Sequence, residues 1–239
     1  EVLSDVRFVV LVVVGALGVL AYQPAFFFGT EANGVAIGTV VALGSAPIVT
    51  GVIDSLLTRK KPEARWLAAT ALAIVGVVMV CGLLDPRQLV AVNPLGIAAS
   101  VGAGAAYAVY ALASKAVIAR SWEPLDTMGA MFATAAVFSL PVLLLAGTAW
   151  LGTTQGLALV AWLGVVTTAV AYLLFGWGLS RLPVTTVSTL TLAEPMTATL
   201  LGLIVLQEQL TAVSVVGIIA IAAGVVLLSL PGGKVTVDV

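Results

Sequence analysis

The chain has 239 residues, of which 61% are hydrophobic and 9% charged, and its formal net charge is −1. A soluble domain carries roughly 25% charged residues because its surface faces water, so this composition selects a bundle of membrane helices and excludes a water-soluble fold. The charge balance excludes a basic face for nucleic acid, and the absence of histidine excludes Ser-His-Asp triads and histidine–zinc sites.

A spanning helix needs ~20 mostly apolar residues, and eight such runs follow one another. The first, 8–29, is too long for a signal peptide and continues into AFFFG with no cleavage site. Gln23 and Pro24 are expected to break it beside Tyr22. The second, 34–57, contains Pro47, an expected hinge, and ends in the cationic stretch TRKKPEAR. The third, 66–84, holds Cys81, the single cysteine, which reads as a small packing residue rather than part of a disulfide framework. The fourth, 95–114, carries Tyr107 and Tyr110, and the fifth, 127–147, is expected to break at Pro141 near its outer end. The sixth, 156–179, holds Trp162 and Tyr172, the seventh, 183–206, holds Glu194 and Pro195, and the eighth is 211–230. Turn and charge signals separate the runs, and no soluble domain fits between them.

Lysine and arginine placement sets orientation. With Glu1 on one side, Arg7, Arg59, Lys60, Lys61, Arg65, Lys115, Arg120, Arg181 and Lys234 share that side and Arg87 alone lies opposite, so both ends are expected in the cytoplasm. An internal repeat runs alongside. Pro47 and Pro195 are 148 residues apart, as are Gly76 and Gly224, and Ala21-Tyr22 matches Ala171-Tyr172 at a spacing two residues different. The assigned directions make the two copies inverted, an architecture common in transporters.

Ala171-Tyr172, Arg181-Leu182-Pro183, Glu194-Pro195, Glu208, Gly217 and Gly224, with GIAASVGAGAAYAVYALASKAV at 96–117, resemble the EamA-type repeat of the drug/metabolite transporter superfamily. The resemblance implies an all-α membrane protein of ten helices in two inverted five-helix repeats. Eight of them are visible here. Residues 1–84 are read as a first repeat lacking its two opening helices and 95–230 as a complete second one. The chain is read as a piece for that reason and because it begins at Glu1. Ala46 stands where the second copy has glutamate, and Lys60 stands opposite Glu208. The implied activity is secondary transport of small organic metabolites, amino acids or drug-like compounds, often outward, in a bacterial inner membrane.

Glu194 lies about twelve residues from either end of its run and cannot reach the membrane surface. An ionised acid there costs at least ~2.5–3.5 kcal/mol on insertion scales, so the neutral form competes and a proton-responsive site is one consequence. Pro195 has no amide hydrogen and leaves the Thr191 carbonyl without its helix partner. On this ground Glu194→Ala is expected to harm folding as well as transport. Thr185, Ser188, Thr191, Ala198 and Gly202 follow at helical spacing beside Glu194 and Pro195. The candidate substrate or proton site is therefore Glu194, Thr191 and Ser188 with the aromatics Tyr22, Tyr107, Tyr110, Trp162 and Tyr172, and the hinges are Pro47 and Pro195. The alternative for Glu194 is a hydrogen bond to a neighbouring helix that locks the kink; the alternative for the aromatics is packing.

No metal or cofactor is expected, and no G-x-x-x-x-G-K-[ST] loop for ATP occurs. Expected partners are a small-molecule substrate and the lipid bilayer, with protons and a second copy of the chain as further candidates. A channel or structural subunit is the competing class, and an intramembrane enzyme is the remoter alternative, because rhomboid-type chemistry needs histidine and aspartyl-type chemistry two buried aspartates.

Overall fold

The computed structural model describes residues 6–84, 92–205 and 211–229. Arg87, Glu208 and Lys234, which entered the readings above, lie outside the described residues. All regular structure within them is helical, as an apolar solvent demands, because each backbone amide must find its partner inside its own segment.

Helices α1 (Val6–Asn33), α2 (Val35–Thr58), α3 (Ala64–Val80), α4 (Pro94–Ile118) and α5 (Pro124–Ala146) correspond to the first five runs. The sixth run becomes α6 (Thr154–Ala161), a π-helical stretch (Trp162–Val170) and α7 (Ala171–Arg181). The seventh divides into α8 (Val184–Leu190) and α9 (Ala193–Val205), and the eighth is α10 (Ala212–Ser229). Five segments are long and apolar enough to cross a membrane: α1, α2, α4, α5 and Thr154–Arg181. Helices α3 and α10 are apolar but shorter, at 17 and 18 residues.

The expected breaks at Gln23-Pro24 and Pro141 do not occur. Pro24, like Pro47 and Pro141, lies inside an unbroken helix. A proline forfeits the one bond its amide would have made, and with no water to compete for the neighbouring groups the rest of the ladder persists. Pro195 differs and is treated below.

Lipid tails are as apolar as leucine, so helices here associate through close packing rather than burial from water. Small residues allow it. A Cβ built on Gly18 of α1 would stand 2.7 Å from the Ala106 carbonyl oxygen of α4, and one on Gly104 of α4 would stand 2.7 Å from the Ala42 carbonyl oxygen of α2. Helix α4 is thus wedged between α1 and α2. On the other side α3 crosses α10: a Cβ on Gly76 would lie 2.7 Å from the Gly217 carbonyl oxygen and 2.7 Å from Ile221, and one on Gly224 would lie 2.8 Å from the Ala69 carbonyl oxygen.

Polar clamps fix the helix ends. Gly34 alone joins α1 to α2, and its φ of 83° is a conformation that side-chain-bearing residues rarely adopt. Next to it, Asn33 Nδ2 donates to the Asn93 carbonyl at 3.1 Å and Asn33 Oδ1 accepts from the Asn93 amide at 2.6 Å, while Asn93 caps α4 by accepting from the Leu95 amide at 3.0 Å. At the opposite end of α4, Lys115 Nζ donates to the carbonyls of Leu179 and Leu182, the latter at 2.9 Å. Those carbonyls close α7 and have no amide to take them within the helix.

Candidate functional site

The seventh run is the place where local chemistry and packing meet. Pro195 cannot donate to the Thr191 carbonyl, which instead accepts from the Glu194 amide at 3.0 Å. The tighter turn ends α8, aided by a Leu192 amide that donates to Thr189 at 3.0 Å. The orphaned carbonyl is therefore satisfied by a backbone group that any residue at 194 would supply. The expectation that Glu194→Ala would leave it unpaired is corrected accordingly.

Around the break the hydroxyls turn inward on their own helix: Ser188 donates to Thr185 O at 2.8 Å, Thr189 to Thr185 O at 3.1 Å and Thr191 to Ser188 O at 2.8 Å. Helix α3 braces the same segment. The Trp66 indole donates to the Thr185 carbonyl at 3.0 Å, and the Thr70 and Thr189 hydroxyls share a buried 2.8 Å bond.

The turn presents Glu194 to a cavity of about 510 Å³ lined by residues from α1, α2, α4, α5, the π-helical stretch, α7 and the α8–α9 junction. This is within the range of small-molecule pockets. The chain contains four tyrosines, and Tyr22, Tyr107, Tyr110 and Tyr172 all line this one cavity. Tyr107, Tyr110 and Tyr172 form a continuous aromatic wall with Phe132 and Phe175, while the Tyr22 ring stacks on Phe26. Tyr110 stacks on Phe175 at 5.7 Å and meets Tyr172 edge-on at 5.8 Å, and Phe132 lies 4.5 Å from Tyr172. The Tyr110 hydroxyl donates to the Met128 sulfur at 2.9 Å. The Tyr107 hydroxyl is buried, with the Thr191 side chain as its polar neighbour. Among the described residues no lysine or arginine lines the cavity.

Of the residues singled out from sequence, Glu194, Thr191, Tyr22, Tyr107, Tyr110 and Tyr172 come together here. Ser188 is fully buried behind the cavity, and Trp162 is 61% exposed on the far side of its helix, away from it. Pro47 and Pro195 are buried, each directly after a lining residue, Ala46 and Glu194. Sequence reasoning passed over Phe132, Phe175 and the pair Thr167-Thr168, all of which line the cavity; two adjacent hydroxyls within an apolar run were the available signal.

Residues 94–230 match the model of the EamA-like transporter family. A Bacillus subtilis (strain 168) protein described as the uncharacterized transporter YwfM is 36% identical over 220 residues, covering 92% of this chain and 73% of that one. The chain belongs to the EamA-like transporter family. As an EamA-like chain, it is a multi-pass membrane transporter of the drug/metabolite superfamily. The threonine/homoserine exporter RhtA of Salmonella typhimurium (strain SL1344) is 30% identical over 216 residues, covering 84% of this chain and 68% of RhtA. A solved crystal structure superposes with a TM-score of 0.72 over 91% of this EamA-like chain and 75% of its own, at 21% identity, and shows the fold alone.

Proposed function

We propose that this chain exports a small organic compound bearing an ammonium group, and that Glu194 and the four tyrosines hold it in the central cavity. One observation carries the reading: the acid and every tyrosine of the chain converge on one space whose lining, among the described residues, contains no cation. Aromatic faces and a carboxylate both attract an ammonium. Glu194 has no side-chain hydrogen bond among the described residues, so its carboxylate is available to a substrate or a proton.

Alternating access between two inverted halves is the mechanism we favour, in a bacterial inner membrane with both ends of the chain in the cytoplasm. The pairs Tyr22 and Tyr172, Gly18 and Thr168, Leu43 and Thr191, and Ala46 and Glu194 stand 150 or 148 residues apart, and both members of each line the cavity. The α3–α10 crossing supports the same relation. A shift of 148 residues turns the contact of Gly76 with 217 and 221 into that of Gly224 with 69 and 73. A self-complementary contact of this kind is what a two-fold axis produces. Export, like the relation to threonine and homoserine, is an inference from RhtA.

The test is transport by the full-length protein in liposomes. Uptake should saturate and should be stimulated by substrate on the far side, which separates a carrier from a channel. Across roughly pH 5.5 to 8, Glu194→Gln should flatten the pH dependence, since the amide keeps the shape and loses the exchangeable proton. Equal rates and equal profiles in both proteins would overturn the role of Glu194.

A further inference from the structure

A second space lies outside the transport path. Between α2 and α3 a groove of about 840 Å³ runs down from the linker that joins them. Its walls are apolar and open sideways: Ile48 is 51% exposed, Val52 55%, Leu56 73% and Leu67 51%. The floor is the Trp66 ring, fixed by its indole bond to Thr185 and admitted to this depth because Gly51 has no side chain to overlap it. From Ile48 to Leu56 the groove extends about 12 Å along the helix at 1.5 Å per residue, a depth that takes much of one acyl chain into one leaflet.

Its mouth is cationic. Arg59, Lys60 and Lys61 are consecutive, exposed and part of the lining, and Arg59 closes α2 in the left-handed conformation at φ 57°. That turn gathers three cations in the short linker where the helix leaves the hydrocarbon. The acids of the same stretch, Asp54 and Glu63, do not line the groove. An apolar slot opening to the bilayer with three cations at its rim matches a molecule with an anionic head and an apolar tail, since basic segments at membrane interfaces draw anionic lipid.

We infer that the α2–α3 groove binds one anionic glycerophospholipid, its phosphate among Arg59, Lys60 and Lys61 and its acyl chain along Val52, Leu56 and Trp66. A transport substrate does not explain the groove, because the two spaces have no lining residue in common.

The experiment is native mass spectrometry of the purified full-length protein offered equal amounts of phosphatidylglycerol and phosphatidylcholine. Wild type should retain one phosphatidylglycerol in clear preference. Replacing Arg59, Lys60 and Lys61 with glutamine should lower that preference about fivefold for each cation removed. Arg59→Lys keeps the charge and should keep the preference, whereas Val52→Trp, which fills the slot, should lower retention of both lipids. No headgroup preference in wild type, an undiminished preference in the glutamine variant, or loss of preference in Arg59→Lys would each overturn the site. So would a dimer cross-linked in native membranes through Val52→Cys in a Cys81→Ala background, because a second copy would then occupy the groove. Transport of the ammonium substrate can fail or succeed independently of these readouts.

Discussion

Ala46 and Glu194 line the same cavity and each precedes a proline, yet the backbone around them differs. Helix α2 runs unbroken through Pro47, and hydroxyls beside it stay within the helix, with Ser45 donating to Ala42 O at 3.1 Å and Thr50 to Ala46 O at 2.8 Å. The second segment divides at Thr191, where the freed carbonyl takes the Glu194 amide and α3 braces the preceding turn through Trp66 and Thr70. The comparison teaches that proline alone does not interrupt a membrane helix. An interruption needs a new partner for the released carbonyl and an outside element to hold the turn, and here it coincides with the wall that carries the acid.

The largest expected effect comes from moving that acid. Glu194→Ala should lower liposome transport about 10- to 100-fold, the scale of one charged hydrogen bond, and should leave thermal stability nearly unchanged because the Thr191 carbonyl keeps its backbone partner. Adding Ala46→Glu to that variant should restore part of the activity if the two walls are interchangeable; a double variant as inactive as the single one would show that they are not.

Next is the α3–α10 crossing, on which the proposed relation between the two halves rests. Gly76→Val and Gly224→Val should each destabilise the protein by about 1–3 kcal/mol through overpacking, and by similar amounts, while Gly102→Val, whose Cβ would meet no atom within 4 Å, should be tolerated. Thermal unfolding in detergent reads all three, and clearly unequal losses at 76 and 224 would break the proposed symmetry.

Pro195→Ala comes third. It supplies an amide to the Thr191 carbonyl and lets α8 and α9 join, so the maximal rate should fall several-fold at unchanged expression, whereas Pro47→Ala, inside a helix already continuous, should change transport little. Smallest is Thr70→Val, which removes the buried bond to Thr189 and should cost about 0.6 kcal/mol, the average for hydrogen bonds between membrane helices. A loss of several kcal/mol would mean that this one bond holds the whole break.

Much of this was legible in the sequence for physical reasons. Hydrocarbon enforces helices, so eight apolar runs gave the helical segments, and a carboxylate that cannot reach water must face a cavity or a partner, which placed Glu194. Apolar composition was less informative about rotation around a helix axis. Trp162 and Tyr172 share a run, but Trp162 opens the π-helical stretch and Tyr172 follows it, and only Tyr172 reaches the cavity. Lys115 read as a topology signal alone; its second role, closing α7, depends on an approach between residues 64 positions apart that no local pattern reports. The break at Thr191 was foreshadowed by Pro195, but the same residue type at 24, 47 and 141 breaks nothing, because the outcome rests on the bracing helix.

The α3–α10 crossing also sets an order of events. Gly76 meets Gly217, 141 residues further along the chain, so at a synthesis rate of about 5–20 residues per second the earlier helix waits on the order of ten seconds for its partner to leave the ribosome. Through that interval the surface formed by Ala69, Ala73 and Gly76 faces lipid without the ridge it is shaped to receive. A chain stalled before α10 would therefore keep α3 uncovered, and membrane quality control would have a defined face by which to distinguish unfinished copies from finished ones.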